Sequence, residues 1–384
     1  MFKDALVIFK KELRNLFKDR RTLFSTFLLP MVIMPIIFIG MGTILKTIED
    51  EAQKTTYKIA IEGNNDQLFR EILATNLNFV ETQVNESDFI LFFGPNYNVG
   101  TKAEVVLSYD SSSRKNQWAA SKIQNSVASY DLELADKLLR LYGLSYQQIH
   151  TLSLVVNDTA TEAVRSGGSL LATLVPYFMV IFLFSGSMNA GLDTTSGEKE
   201  RGFLAVLLVN QVSRTSIAWG KIFYVSFVAI ISATATFIGL LISMLLPVGP
   251  QALFSEGLIK LTIAFDALLI IISALLSCAL LSASIVTLLG SFAKTVKEGS
   301  SYVVPLYMGV VLVGVTTMYM DPTKNLFLFL IPIVNTIFVL KESFMGMYLI
   351  SHAFVTLLSN LAFAIAISSC VARLFNSERI LQTT

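Results

Sequence analysis

The sequence predicts an α-helical integral membrane protein. It should hold six transmembrane helices, an N-terminal amphipathic surface helix, a large α/β extracytoplasmic domain between helices 1 and 2, and a re-entrant hairpin between helices 5 and 6. Three observations carry this prediction. Hydrophobic residues make up 53% of the 384 and charged residues only 15%, against about 25% charged in soluble globular chains. The missing charge is concentrated in uninterrupted runs of the length, about 20 residues, that a helix needs to cross the hydrocarbon core. Lys and Arg then fall on alternate loops, which is the pattern that fixes orientation.

Residues 1–21 read as a helix lying on the membrane surface. Phe2, Leu6, Phe9, Leu13, Leu16 and Phe17 recur at helical spacing with basic residues around them, which suits an apolar face sunk into the headgroup region. The bland alternative is a plain extension of the first span. That span, assigned to 22–47, contains no charge over 22–45. It is longer than the roughly 7–15 apolar residues of a signal peptide core, and no A-x-A site follows it. Pro30 and Pro35 interrupt it and predict kinks, tolerated where neighbouring helices satisfy the freed backbone.

Residues 48–165 have a soluble composition. Lys58–Ile61, Phe89–Phe93 and Glu104–Ser108 read as short strands, and Gln67–Thr75 and Lys115–Tyr142 as helices. Alternating strand and helix predicts a small α/β domain. No catalytic constellation is legible there, so a structural cap or partner-docking module is the expectation. Residues 166–384 carry the remaining spans, at 169–192, 222–246, 267–293, 299–320 and 353–372. Leu326–Leu340, within a region assigned to 326–350, is apolar but too short to cross. Pro332 and Asn335 interrupt it and Lys341-Glu342 closes it. It reads as a re-entrant hairpin, with a surface-lying helix as the alternative.

Charge orients these elements. Lys3, Lys10, Lys11, Arg14, Lys18, Arg20 and Arg21 place the N-terminus inside. An even number of spans returns the C-terminus, with Arg373 and Arg379, to the same side. The 193–221 loop, with Lys199, Arg201, Arg214 and Lys221, and the loop holding Lys294 and Lys297 also fall inside. The protein is therefore expected in a cell membrane, multi-pass, with both termini cytoplasmic and membrane lipid around it.

Several function classes are disfavoured. A net charge of +1 suggests no nucleic-acid partner. Cys278 and Cys370 lie in predicted spans, so no disulfide framework is expected. His150 and His352 sit in no Cys/His cluster, so no metal site is expected. Two glycine–lysine stretches resemble the phosphate-cradling motif G-x-x-x-x-G-K-[ST] only superficially. Gly94–Lys102 and Gly191–Lys199 each have the wrong spacing. This chain is not expected to be an enzyme, and any ATP and Mg would be bound by a separate chain.

The short charged segment between spans two and three is the most specific feature. Gly197-Glu198-Lys199-Glu200-Arg201-Gly202-Phe203-Leu204, followed by Leu207-Leu208-Val209, Val212-Ser213-Arg214 and Gly220-Lys221, resembles the segment after the second span of ABC-2 type permeases. Within that family it is similar to the NatB-like branch, the membrane subunits of bacterial two-component sodium-exporting ABC systems. Ala293–Gly299 resembles the inner loop before the fifth span, where the family often has Gln or Ala in place of Gly299. Pro332–Glu342 resembles the re-entrant region, and Phe375–Arg379 the short tail. The likeness covers essentially the whole chain.

The resemblance implies the permease subunit of an ATP-binding cassette exporter in a bacterial plasma membrane. A second permease subunit, identical or homologous, would complete the transmembrane pathway. A NatA-like ATPase subunit would dock beneath, and the cargo would be Na⁺, exported. The family's coupling helix maps onto 198–214. Leu204, Leu207 and Leu208 supply an apolar face at i, i+3 and i+4 suited to a partner's groove. Glu198, Glu200, Arg201, Gly202 and Arg214 complete the expected coupling set. The acidic residues are expected early in that helix, at its positive end.

The cargo is poorly legible. An ionisable group inside a span is a functional candidate by default, which singles out Asp266, paired with Lys260 or merely capping a helix, and beside it Asn189 and Asp193. Two other readings stand. One is an ATP-independent channel or secondary transporter, which predicts paired charges near the midplane. The other is a mechanotransmitting membrane protein driven by an ATPase.

Overall fold

The computed structural model describes residues 2–63, 66–94, 104–110, 113–143, 169–204, 212–245, 264–320 and 325–376. They fall into two compact units, Met1–Gly40 with Thr159–Thr384, and Met41–Asp158.

In the smaller unit a four-stranded sheet runs in the order β2-β1-β3-β4. Its strands are β1 (Tyr57–Glu62), β2 (Phe79–Glu81), β3 (Phe89–Phe93) and β4 (Val105–Tyr109). β1 is parallel to β2 and to β3, and β3 pairs antiparallel with β4. The period-2 rule of strands puts Tyr57 and Ile59, then Phe89, Leu91 and Phe93, on one buried face. Three helices belong to this chain region: the end of α2 (Leu29–Lys54), α3 (Gln67–Asn76) and α4 (Arg114–Leu141). Asp66 caps α3 by accepting from Leu68 N at 3.0 Å, and Tyr130 on α4 donates to the same carboxylate at 2.7 Å. The sequence reading misses β2. Its three residues are too few to show a period, and its pairing is decided by the neighbouring strand.

The larger unit is helical. Six helices among the described residues are long and apolar enough to cross a membrane: Phe24–Lys54, Ala172–Glu200, Arg214–Ser243, Phe265–Phe292, Val296–Met318 and Ile350–Asn376. Its elements are α1 (Phe2–Lys18), the start of α2, α5 (Ser169–Leu192), α6 (Arg214–Leu245), α7 (Phe265–Phe292), α8 (Val296–Met318), α9 (Val334–Met345) and α10 (Ile350–Asn376). The core gathers Val180, Leu183 and Phe184 from α5, Ala229 and Ala233 from α6, and Cys278 and Ala279 from α7.

Helix α1 turns Ala5, Ile8 and Leu16 inward and leaves Leu6, Val7 and Phe17 exposed. The buried seam is therefore rotated from the expected stripe, because α6 claims one side of the helix. Two apolar faces, one on protein and one free, replace the single face read from spacing.

Prolines in the first span are resolved by α6. Pro30 cannot donate to the carbonyl of Thr26, four residues earlier. The chain opens into a π-turn at Phe24–Leu28, and Ser232 Oγ donates to Thr26 O at 2.8 Å. Pro35 similarly frees the carbonyl of Met31, and Gly239 of α6 lies directly against it. Both carbonyls thus face the same neighbour.

The region before the last span is a hairpin of a 3₁₀ turn, Leu326–Leu330, and α9. Ile333, with φ 74°, makes the reversal, a conformation that β-branched residues rarely adopt. Lys341-Glu342 does not close the apolar run as expected. Both residues are buried inside α9, which continues to Met345. Lys341 Nζ donates to Met320 O at 2.8 Å, and Glu342 meets His352 Nδ1 at 2.9 Å. Asn335 and Asn360 link the hairpin to α10 at 3.2 Å, and Asn360 reaches Ser277 of α7 at 3.3 Å. Buried amides satisfied in this way cost little, whereas orphaned ones cost about 1–3 kcal/mol each.

Candidate functional site

The charged segment does not begin a new helix. Asp193–Gly197 forms a π-turn that prolongs α5, and Glu198–Glu200 is the final helical turn of the same rod. Glu198 and Glu200 therefore stand at a C-terminal, negative helix end, not at the N-terminal end expected. The structure supplies specific partners that offset this.

Each of the four charged residues grips a different element. The Glu198 carboxylate lies between Lys221 Nζ on α6 and Lys11 Nζ on α1, the latter at 2.9 Å. Lys199 Nζ donates to Ser291 O at 2.7 Å and Ala293 O at 3.2 Å, satisfying carbonyls that the end of α7 leaves unpaired. Glu200 accepts from Val296 N at 2.9 Å, one of the orphan donors at the start of α8. Arg201 pairs with Asp193 Oδ1 at 2.9 Å. Beside them α8 carries its own N-terminal cap: Glu298 N donates to Thr295 Oγ1 at 3.2 Å, and Lys294 N, just before the cap, donates to the Glu298 carboxylate at 2.7 Å.

Lys221 is the residue that sequence reading placed wrongly. It was assigned to a loop ending at 221, but α6 begins at Arg214 and carries it fully inside. Its ammonium also donates to Thr194 Oγ1 at 3.0 Å. The usable signal was its position seven residues into a helix whose other face is apolar. Lys11 and Tyr224 were missed as well, since nothing local marks them. The half-buried Lys11 ammonium is disfavoured by desolvation, but the hydrogen bond to Glu198 and the charge of Glu12 outweigh this and hold its pKa above the ordinary lysine value.

Beyond the tetrad, Gly202 takes φ 75°, which ends the helix at low cost only for glycine. Phe203 is exposed, while Leu204 is buried with Ile8 and Leu16 of α1 and Ile217 of α6. Leu204 thus faces this chain's own core. Leu207 and Leu208 lie outside the described residues. Arg214 donates to Asn376 O at 3.3 Å, tying the start of α6 to the end of α10.

The three residues singled out for cargo are not brought together. Asp193 is at the tetrad, engaged by Arg201. Asn189 is half-buried one turn earlier. Asp266 opens α7 at its far end, where it accepts from Tyr348 OH and from Ala267 N at 3.1 Å. Gly290 of α7 packs against Thr195, so Asp266 is roughly 36 Å from the tetrad at about 1.5 Å per residue. Lys260, its expected partner, lies outside the described residues. No group of three or more His, Cys, Asp or Glu among the described residues is placed to hold a metal ion.

Comparison with known sequences decides the family. The family model described as ABC-2 family transporter protein matches residues 6–379. The chain belongs to the ABC-2 transporter family. This ABC-2 protein is also 25% identical over 367 residues to the ABC transporter permease protein NatB of Bacillus subtilis (strain 168), covering 88% of the chain and 89% of that relative. No solved structure matches it. With its six candidate spans, this family member is a multi-pass membrane protein of the ABC permease type.

Proposed function

We propose that this ABC-2 protein is one permease subunit of an exporter, completed by a second permease subunit and driven by a separate NatA-like ATPase that binds ATP and Mg. The segment 198–214 is the coupling element. The observation that carries this reading is the wiring of Glu198-Lys199-Glu200-Arg201 to α6, α1, α7, α8 and the end of α5. A displacement of one short segment would move five helices together. Phe203, exposed just past the tetrad, offers an apolar side chain to a partner groove, and Leu207 and Leu208, outside the described residues, are the leucines of the expected face left to join it, since Leu204 is buried.

Orientation in this reading follows the basic residues: tetrad and both termini cytoplasmic, the α/β unit extracytoplasmic, and the 326–350 hairpin re-entrant from the outer side. The cargo is Na⁺, moved outward, as the likeness to the NatB-like branch implies. Asp266 and Asp193 form no charge pair with each other, the one bonded by Tyr348 and the other by Arg201, so the cargo candidates do not supply the paired charges that a secondary transporter predicts.

Leu207→Asp with Leu208→Asp is expected to abolish co-purification of the ATPase while the permease still inserts in the membrane. Tagged wild-type protein, extracted in mild detergent, should bring down a P-loop subunit with vanadate-sensitive activity. Unchanged recovery of that subunit with the double variant would remove the coupling assignment.

A further inference from the structure

One imidazole touches both arms of the hairpin that precedes the last span. His352, on the first turn of α10, stacks its ring on Phe329 of the 3₁₀ turn, with centroids 3.9 Å apart and planes 20° from parallel. Its Nδ1 meets both carboxylate oxygens of Glu342 on α9, at 2.9 and 3.0 Å. We propose that Glu342 and His352 form a proton-binding site that latches the hairpin onto α10, and that the latch loosens as pH rises. This goes beyond the ATPase docking and the Na⁺ cargo proposed above and depends on neither.

Burial makes the proton matter. The His352 and Glu342 side chains are 3% and 4% exposed. With the ring protonated the pair is neutral as a whole, and a positive ring over the Phe329 face is favoured as well. With the ring neutral, the buried carboxylate loses the charge that faces it, which is costly. Histidine is the side chain that ordinarily titrates between about pH 5 and 8. The sign follows by linkage. The latched hairpin binds the proton more tightly than a loosened one, so the stabilisation is present on the acid side and is lost as pH rises through the titration of the pair.

The other ionisable groups around the hairpin do not duplicate this site. Lys341, next to Glu342 on α9, donates to Met320 O at 2.8 Å. Asp266, at the start of α7, accepts from the hydroxyl of Tyr348, between α9 and α10. Cys278 of α7 meets Thr336, and α5 and α8 bring Tyr177 and Tyr307. Phenols, thiols and ammonium groups ordinarily titrate above about pH 8 and carboxylates below about pH 5. The backbone gives the latch something to hold. Ile333, at φ 74°, makes the reversal in a conformation that persists only where its surroundings enforce it. Asn335 Nδ2 on Phe329 O at 3.2 Å and Ser359 Oγ on Leu330 O at 2.7 Å do not titrate, so the hairpin loosens without unfolding.

Hydrogen exchange of the purified full-length protein in nanodiscs reads the latch, with rates corrected for the intrinsic pH dependence of exchange. Between about pH 6 and about pH 8, the protection of α9 amides should fall at least about tenfold, the change that one linked proton supplies per pH unit. The amides of α7 should keep theirs. His352→Asn puts an uncharged donor near the Nδ1 position and should level the α9 profile. Glu342→Gln removes the charge but keeps an acceptor, and should likewise abolish the fall. Level protection of α9 in the wild type, a loss shared equally by α7, or a variant that keeps the wild-type pH dependence would overturn the proposal. Should a variant not fold, the wild-type profile of α9 against α7 decides alone.

Discussion

Glu198→Ala should destabilise the helical unit by about 3–5 kcal/mol, the range for removing one partner of a buried ion pair. Lys221 is fully buried, and its ammonium bonds Glu198 and Thr194. Without the carboxylate its ammonium would remain deep in the bundle with Thr194 alone. Lys11, which is 41% exposed at the side chain, can turn to water and loses much less. The measurement is the thermal midpoint of the detergent-purified protein together with its monodisperse yield. Adding Lys221→Met should recover most of the loss, because exchanging a buried pair for apolar side chains is often neutral or better. A midpoint unchanged in the single variant, or a double variant no more stable than the single, would contradict the buried pair. The charge cluster would then be a solvated loop, and its role as a hub would fall with it.

Gly239→Val should cost about 2–3 kcal/mol, at the upper end of the range for overpacking a filled interior. A Cβ at Gly239 would lie 3.0 Å from the Met31 Cα and carbonyl carbon, and closer still to the carbonyl oxygen. Those are backbone atoms and cannot rotate away, so α2 would have to leave α6. Small residues let membrane helices approach to this degree, and here the approach shields the carbonyl that Pro35 leaves without a donor. Gly309→Ala on α8 is the control. Among the described residues nothing lies within 4 Å of a Cβ there, so the gain in helix propensity, about 1 kcal/mol, should appear undiminished. Opposite signs in the two thermal midpoints are the expected result. A loss at both positions, or at neither, would show that the α2–α6 contact is not as close as described.

Much of the architecture was legible because its signals are local. Runs of apolar residues near 20 long bound each span, and the helices found at Phe265–Phe292 and Val296–Met318 lie within a few residues of those read at 267–293 and 299–320. Alternation marked β1, β3 and β4, while β2, at three residues, carried no pattern of its own.

The candidate site was legible in composition but not in geometry. Glu198-Lys199-Glu200-Arg201 stood out as charge between apolar runs, yet spacing suggested a free amphipathic helix starting there. The structure makes it the end of a helix already begun, because a π-turn at Asp193–Gly197 carries α5 onward and because Lys221, Lys11, Val296 N and the α7 carbonyls each find one member of the tetrad. Leu204 was read as part of a face for a partner, but α1 covers it.

By itself the sequence determined the class, the spans, the soluble insertion and the family likeness, since hydropathy, charge sidedness and short motifs are properties of contiguous residues. Only the tertiary structure decided which charges are buried and with whom. Lys11 and Glu198 are separated by 187 residues, and no local pattern encodes a pairing that arises when α1 and α6 close on the end of α5. Burial turns these residues from solvated charges into a shared ionic core, and burial depends on what packs on top of a residue.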